Sequence, residues 1–287
     1  MATKNIAIAS ATVLPLPDPD EPGLAAAIRG HGAEVRVLAW DDESVDWAWA
    51  DVVVIRSTWN YVTRRDDFVA WAERVASVTC LHNPAPVIRD NTDKIYLARL
   101  SEAGIPVVPT LWLERGSDAS AALRRVAERG WADVVIKPRI SAGSFQTQRF
   151  IVADVGVSRD AASFLTAQLS QRAMMVQPYQ ARVDDTGERA IVVIDGELMF
   201  ASRKSPRFAS GPLEVSAALA IEPDERALAE RILADFERLL YARVDLVRGD
   251  DGAPRLMELE LTEPYLMLDR FPPALDRLAR AIVERAA

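Results

Sequence analysis

Short apolar runs bounded by Gly, Pro, Asn and Asp alternate with longer stretches of helical spacing from one end of the chain to the other, the pattern of an α/β protein. In the first third, strands are predicted over Ile6–Ala9, Glu34–Leu38 and Asp51–Arg56, with a short one over Val78–His82. Helices are predicted from Gly23 to Gly30 and from Arg65 to Ala76, the second presenting Phe68, Trp71 and Val75 on one face. That order suits half of a doubly wound sheet. Asn83-Pro84-Ala85-Pro86 marks a boundary, after which Asn91 and Asp93 open a helix that carries Lys94 and stops near Gly104. Strands Pro106–Trp112, Asp133–Lys137, Gln148–Val152 and Met174–Gln177, with helices Ser117–Arg129 and Ala161–Gln171, then make a small α+β lobe. The last third predicts an antiparallel pair, Arg189–Ile194 and Leu198–Ser202, turned at Asp195-Gly196-Glu197. A long helix Pro223–Leu240, strands Tyr241–Val247 and Arg255–Leu261, and a final helix Pro273–Arg285 follow.

Charge and composition narrow the function. Of 287 residues, 42 are Asp or Glu and 34 Lys or Arg, a formal charge of −8 that argues against a nucleic-acid grip. One cysteine, Cys80, and two histidines, His31 and His82, leave neither an internal disulfide nor a His/Cys zinc cluster. No run reaches the roughly 18 apolar residues that would span a bilayer. Lys4 and the run Ile6 to Leu14 imitate a signal peptide only until Pro15, Pro17, Asp18, Asp20 and Glu21 interrupt it, so a cytoplasmic protein without a membrane partner is expected. The first strand is followed by Ser10 to Pro17 rather than G-x-G-x-x-G, and no P-loop occurs, so neither common phosphate cradle is present.

The strongest chemical signal is Met257-Glu258-Leu259-Glu260-Leu261, whose alternation turns Glu258 and Glu260 to one face. If the preceding strand pairs across Gly249 to Pro254, Asp245 joins that face beside Arg243, and the three carboxylates suit magnesium. A solvated edge-strand face explains the same alternation. Val134-Val135-Ile136-Lys137-Pro138 runs into the small-residue loop Ser141-Ala142-Gly143-Ser144, where a lysine and backbone N–H groups can clamp phosphates, although lysine also commonly caps a strand. Val176-Gln177-Pro178-Tyr179 is an apolar strand ending at a hinge whose backbone groups can read an adenine edge, or a plain strand exit. Arg203 to Arg207 packs three cations into five residues, a basic turn or an anion grip. Arg56-Ser57-Thr58-Trp59-Asn60-Tyr61 ends a strand where ligands gather in open α/β sheets. Trp47 and Trp49 read as packing residues, and His82 as a structural histidine.

In order, Lys94, Lys137, the Gln177 hinge, Gly187-Glu188-Arg189, Arg243-x-Asp245 and Glu258-x-Glu260 resemble the ATP-grasp superfamily over about residues 90 to 265. Asp184 to Glu197 looks much like the corresponding segment of the glutathione synthetase-like members. Arg56 to Tyr61, His82-Asn83-Pro84, Asn91-Thr92-Asp93-Lys94 and Glu258 to Pro264 resemble the branch containing O-ureido-D-serine cyclo-ligase, which closes the D-cycloserine ring. Two departures stand out: Glu260 occupies the place of the usual metal-binding Asn, and the loop after Lys137 is poor in glycine.

The resemblance implies an ATP-grasp fold, two α+β lobes clasping ATP, preceded by a small Rossmann-like domain. The expected divisions are residues 1–90 (substrate side), 91–180 (lid lobe) and 181–287 (lobe with the metal site). By the same resemblance Lys94, Lys137 and the loop residues Ser141, Gly143 and Ser144 would hold the phosphates. Gln177, Pro178 and Tyr179 would hold the adenine, Glu188 the ribose, and Asp245, Glu258 and Glu260 two magnesium ions. Arg243 is expected to stabilise an oxyanion, Arg189, Lys204 and Arg207 to hold substrate carboxylate and transferred phosphate, and Arg56, Ser57, Thr58 and Trp59 to face the substrate. The implied activity is an ADP-forming ligase that phosphorylates a small carboxylate, of an amino acid, and joins it to an amine. An intramolecular ring closure is the alternative, and a silent nucleotide-binding module the rival of another class. A homodimer is the default expectation for such an enzyme.

Overall fold

A computed structural model of the chain describes residues 3–152, 159–206, 208 and 214–286. The first sheet holds β1 (Asn5–Ser10), β2 (Glu34–Ala39), β3 (Val52–Ile55) and β4 (Cys80–His82), all parallel in the order β2-β1-β3-β4. Helices α1 (Glu21–Gly30) and α2 (Arg65–Val78) cover its two faces in separate cores, one around Leu24 and Ile28, the other around Phe68 and Trp71. β1 and β3 are buried on both faces, which is why they read as unbroken apolar runs rather than alternating ones. Helix α2 runs on through Val78, so the predicted strand Val78–His82 begins only at Cys80.

The predicted boundary at Asn83–Pro86 is instead the start of a helix, α3 (Ala85–Asn91), because proline is tolerated in a first turn. Asn91 therefore ends a helix rather than opening one, and Lys94 sits in the turn before α4 (Tyr96–Glu102). The predicted strand Pro106–Trp112 divides in two. Val107 bridges to Leu256, while β5 (Leu111–Leu113) pairs with a strand of another sheet. Pro109 and Thr110 lie at the crossing between them.

That second sheet is antiparallel, ordered β5-β8-β6-β7, with β6 (Asp133–Pro138), β7 (Gln148–Ile151) and β8 (Met174–Pro178). Helices α5 (Ala119–Glu128) and α6 (Arg159–Leu169) cover one face, burying Val134, Ile136, Met174 and Val176. The other face carries Lys137 and Met175, and Met175 packs into the core of the third sheet.

After the short helix α7 (Val183–Thr186), the third sheet is ordered β10-β9-β11-β12: β9 (Glu188–Ile194), β10 (Glu197–Lys204), β11 (Tyr241–Arg248) and β12 (Pro254–Glu260). Helix α8 (Pro223–Leu233) ends seven residues before the predicted Leu240 and packs one face; α9 (Pro272–Arg285) covers half of the other. One continuous apolar cluster runs from Ile6 and Ile8 through Val192 and Tyr241 to Ile282, so the first and third sheets share a core. No helix among the described residues is long and apolar enough to cross a membrane.

Candidate active site

The pleat of the third sheet sorts its side chains. Ala190, Val192 and Ile194 of β9 and Phe200 of β10 share the cluster that reaches Leu278 and Ile282 of α9, while Ile191, Val193, Ala242 and Val244 pack with Leu228 and Ile232 of α8. Towards the uncovered end of the α9 face the residues turn charged: Glu188 pairs across from Lys204, Arg243 from Glu260, and Asp245 from Glu258. The expected hairpin therefore puts all three carboxylates beside Arg243. They are held by cations. Asp245 is 1% exposed and both its oxygens are engaged, by Arg243 at 2.8 Å and by Lys204 Nζ at 2.9 Å. Lys204 also pairs with Glu188, and Arg243 with Glu260. Glu258 is met by Lys94 Nζ at 2.9 Å.

Lys94 donates as well to the Ser141 carbonyl at 2.6 Å, tying the loop after β6 to the cluster. Ser141 is buried, and Gly143 and Ser144 adopt φ of 57° and 60°, left-handed backbone that makes a tight loop where glycine is sparse. Lys137 is buried among Glu258, Lys94, Glu188 and Lys204, and its ammonium makes no hydrogen bond among the described residues. On the same strand ladder, Gln177 donates to Thr110 Oγ1 at 3.0 Å, Pro178 gives its carbonyl to Gln180, and Tyr179 lies under the Arg149 guanidinium.

Burial sets the electrostatics. It lowers Lys137, with Glu258 opposing, and it pushes Glu188 up to about 7 and Glu260 up to about 8 despite the nearby Lys204 and Arg243. For Asp245 and Glu258 burial acts in the same direction, but Arg243 with Lys204, and Lys94 with Lys137, overcome it and hold both carboxyls below their ordinary range. A concentration of opposite charges in a sheltered cleft, with one lysine that makes no hydrogen bond among the described residues, is suited to a polyanionic ligand.

The donors fit magnesium in part. Glu258 and Glu260 offer hard oxygens on one face, and magnesium needs only one or two carboxylates beside phosphate oxygens. No group of three such side chains converges for a metal among the described residues, because Lys94, Lys204 and Arg243 stand among the carboxylates. The Glu260 carboxyl faces the Arg243 guanidinium.

Other predicted residues lie elsewhere. Arg189 falls on the opposite face of β9 from Glu188, its guanidinium bound to the buried Glu225 and the Ala220 carbonyl. Arg207 lies outside the described residues. Arg56, Ser57 and Thr58 are buried at the end of β3, and Trp59 Nε1 donates to the Glu263 carbonyl at 3.2 Å, joining the first sheet to the end of β12. Asn60 braces Trp40 and Asp41 instead of facing the cleft. Trp47 packs edge-on against Trp71, and Trp49 lies under Arg36. His82 is pushed down to about 4, first by burial and then by Arg285, and stays neutral near pH 7.

Sequence reading missed Glu263, which takes a hydrogen bond from the buried Tyr61 and is pushed up to about 7 by burial. It lies past the end of β12, where pleat alternation no longer indicates a face. The motif asparagines serve as braces. Asn83 donates to the Tyr241 and Leu261 carbonyls and accepts from Leu240 N, and Asn91 pairs with both the carbonyl of Leu259 and the N–H of Leu261.

Comparison with known proteins agrees with this geometry. A family model described as the N-terminal domain of D-cycloserine synthetase DcsG matches residues 6–83. The cycloserine biosynthesis protein DcsG of Streptomyces lavendulae is 35% identical, across 97% of this chain and 97% of its own. The crystal structure of D-cycloserine synthetase DcsG superposes with a TM-score of 0.89 at 34% identity, covering 99% of this chain and 100% of that one. The fold extends to the ATP-grasp ligase PsnB, solved with minimal precursor, Mg and ADP, at a TM-score of 0.62 and 19% identity over 100% and 99% of the two chains. The chain belongs to the family of D-cycloserine synthetase DcsG, and it shares its fold with ATP-grasp ligases.

Proposed function

We propose that the protein is an ATP-dependent ligase that activates a small carboxylate as its acyl phosphate and joins it to an amine, releasing ADP and phosphate. The observation that carries this is the convergence of Lys94, Lys137, Lys204 and Arg243 on Asp245, Glu258 and Glu260 between two antiparallel sheets. Phosphoryl transfer to a carboxylate depends on charge neutralisation and in-line positioning more than on any covalent group of the protein, so the reaction requires no protein nucleophile.

In this reading Lys137 and Lys94 hold the triphosphate under the Ser141–Ser144 loop, and the Gln177–Tyr179 hinge holds the adenine, with Glu188 at the ribose. Glu258 and Glu260 would hold magnesium, which neutralises phosphate charge when bound. A second ion would require Asp245 to release Lys204 or Arg243. The substrate carboxylate oxygen attacks the γ-phosphorus as its bond to the β-phosphate oxygen breaks. The amine then adds to the acyl carbon, and the carbon–oxygen bond to phosphate breaks as the nitrogen loses a proton. Arg243 faces the oxyanion, with Lys204 beside it. Residues 1–90 serve the substrate side, 91–180 the lid and 181–287 the metal side.

Near full-length similarity to a cycloserine synthetase favours ring closure within one substrate of the O-ureido-D-serine type over a two-substrate ligation. The test is incubation with Mg-ATP and separate pools of D- and L-amino acids, including O-ureido-D-serine, with ADP, AMP and phosphate measured independently. ADP and phosphate dependent on O-ureido-D-serine alone supports ring closure, whereas dependence on a second amine supports intermolecular ligation. AMP with pyrophosphate would overturn the acyl-phosphate route.

A further inference from the structure

We propose that Asp18 and Glu21, with Arg56 beneath them, form the subsite that receives the ammonium group of an α-amino-acid substrate. The inference rests on the ligase reading above and adds which side chains select the substrate class.

The order β2-β1-β3-β4 puts a topological switch between β1 and β3, and ligands of open parallel sheets bind beyond the carboxyl ends of such strands. Ser10 ends β1 there, and Arg56, Ser57 and Thr58 follow β3. Three carboxylates gather here, and the Arg56 guanidinium pairs with one of them. Asp20 is fully employed in the fold, accepting from Leu266 N and Leu268 N at 2.8 Å each and from Arg56 Nη2 at 3.3 Å. Asp18 and Glu21 are different. Asp18 is buried, accepts from the Ser57 hydroxyl at 2.7 Å and from Asp20 N at 2.9 Å, and forms no ion pair among the described residues. Glu21 Oε2 lies 3.5 Å from the same hydroxyl, also without an ion pair among the described residues. Burial, and next the charge of Asp18, raise the Glu21 carboxyl against the weaker opposing pull of Arg56.

A second observation points to a ligand. Arg56 is 1% exposed, yet its Nε and Nη1 have no partner among the described residues, and the buried Thr58 hydroxyl has none among them either. Buried donors without acceptors are costly and rare in native folds. An amino acid brings both missing halves, an ammonium for the carboxylates and an oxygen for the guanidinium. The subsite also adjoins the reaction centre. The Arg56 guanidinium lies over the Tyr241 ring, two residues along β11 from Arg243, and Arg243 Nη1 donates to the carbonyl of Tyr265, whose neighbour Leu266 is bound by Asp20.

The test compares wild type with Glu21→Gln and Asp18→Asn, both near-isosteric and both checked for folding by circular dichroism and melting. Each is assayed for ADP release and for calorimetric binding, using O-ureido-D-serine and its analogue with the α-ammonium replaced by hydroxyl. The expected result is a rise of about tenfold or more in KM for the ammonium substrate, as loss of a charge-assisted contact implies. The KM for ATP stays unchanged, and the preference for ammonium over hydroxyl collapses by the same factor. Unchanged preference in both variants, with ADP still formed, overturns the subsite and leaves the ligase reading standing. Failure of the wild type to bind or turn over any α-amino acid overturns both. Should Asp18→Asn fail to fold, the half-buried Glu21 carries the test alone.

Discussion

At the scale of single residues, the site is decided by which cations already have partners. Lys94 is matched by Glu258 and Lys204 by Asp245 and Glu188, but the buried Lys137 ammonium has no hydrogen bond among the described residues, and burial lowers its pKa. Lys137→Ala should therefore raise the KM for ATP by about tenfold to a hundredfold, the loss of a charged hydrogen bond. Its melting temperature should hold or rise, because a desolvated charge is removed. Steady-state kinetics and a thermal melt check both, and unchanged ATP affinity would sink the phosphate assignment. Glu263 offers a pH test. Its carboxyl is raised from 4.5 to about 7, so the folded state holds the proton more tightly than the unfolded one. Stability should fall as pH rises from about 4.5 through about 7, with Glu188 and Glu260 acting in the same direction. Melts across that window should show a shallower decline in Glu263→Gln than in wild type. Glu258 and Glu260 were legible in the sequence because strand alternation states their shared face, and Lys137 because it ends an unbroken apolar strand before a small-residue loop. Asp18, Glu21 and Glu263 were not, because Asp18 and Glu263 lie in loops and Glu21 is the first residue of α1, where no periodicity yet states a face.

At the scale of elements, the strands were largely legible and their joints were not. The segment predicted as one strand, Pro106–Trp112, pairs at one end with β12 and at the other with β8, so it links the two sheets that enclose the cleft. Asn83 satisfies three buried backbone groups belonging to Leu240, Tyr241 and Leu261, and Asn83→Ala should destabilise the protein by about 3 kcal/mol or more, read from the urea midpoint. A loss below about 0.5 kcal/mol, the range of ordinary surface substitutions, would deny it this role. At Gly187, φ is +71° and an added Cβ would meet Arg203 Cγ at 2.5 Å and the Lys204 carbonyl at 2.7 Å. Gly187→Ala should lower stability by about 1–3 kcal/mol. It should also weaken ATP binding, because the strand that carries Lys204 must shift. Equal ATP affinity in the variant would separate the turn from the site.

At the scale of the whole molecule, one apolar cluster joins the first sheet to the third, while the second sheet keeps a separate core under α5 and α6. Hydrogen exchange should therefore find β1, β3, β9 and β11 opening together at the global free energy, with β6 to β8 opening at a lower one. Nucleotide should add protection at the loop that Lys94 ties down through Ser141. Separate opening of β1 and β11 would refute the shared core. The sequence by itself determined the α/β class, most strands, the single face shared by Asp245, Glu258 and Glu260, and the lysines beside them, because strand alternation and apolar periodicity are local properties of the chain. Only the tertiary structure decided that Arg189 turns away to Glu225, that Asp20 binds Arg56 and the backbone of Leu266 and Leu268, and that Asp18 and Glu21 meet at the Ser57 hydroxyl beyond the end of β3. Those pairings join residues 36 to 248 positions apart, and no local pattern specifies which distant group will neutralise a buried charge.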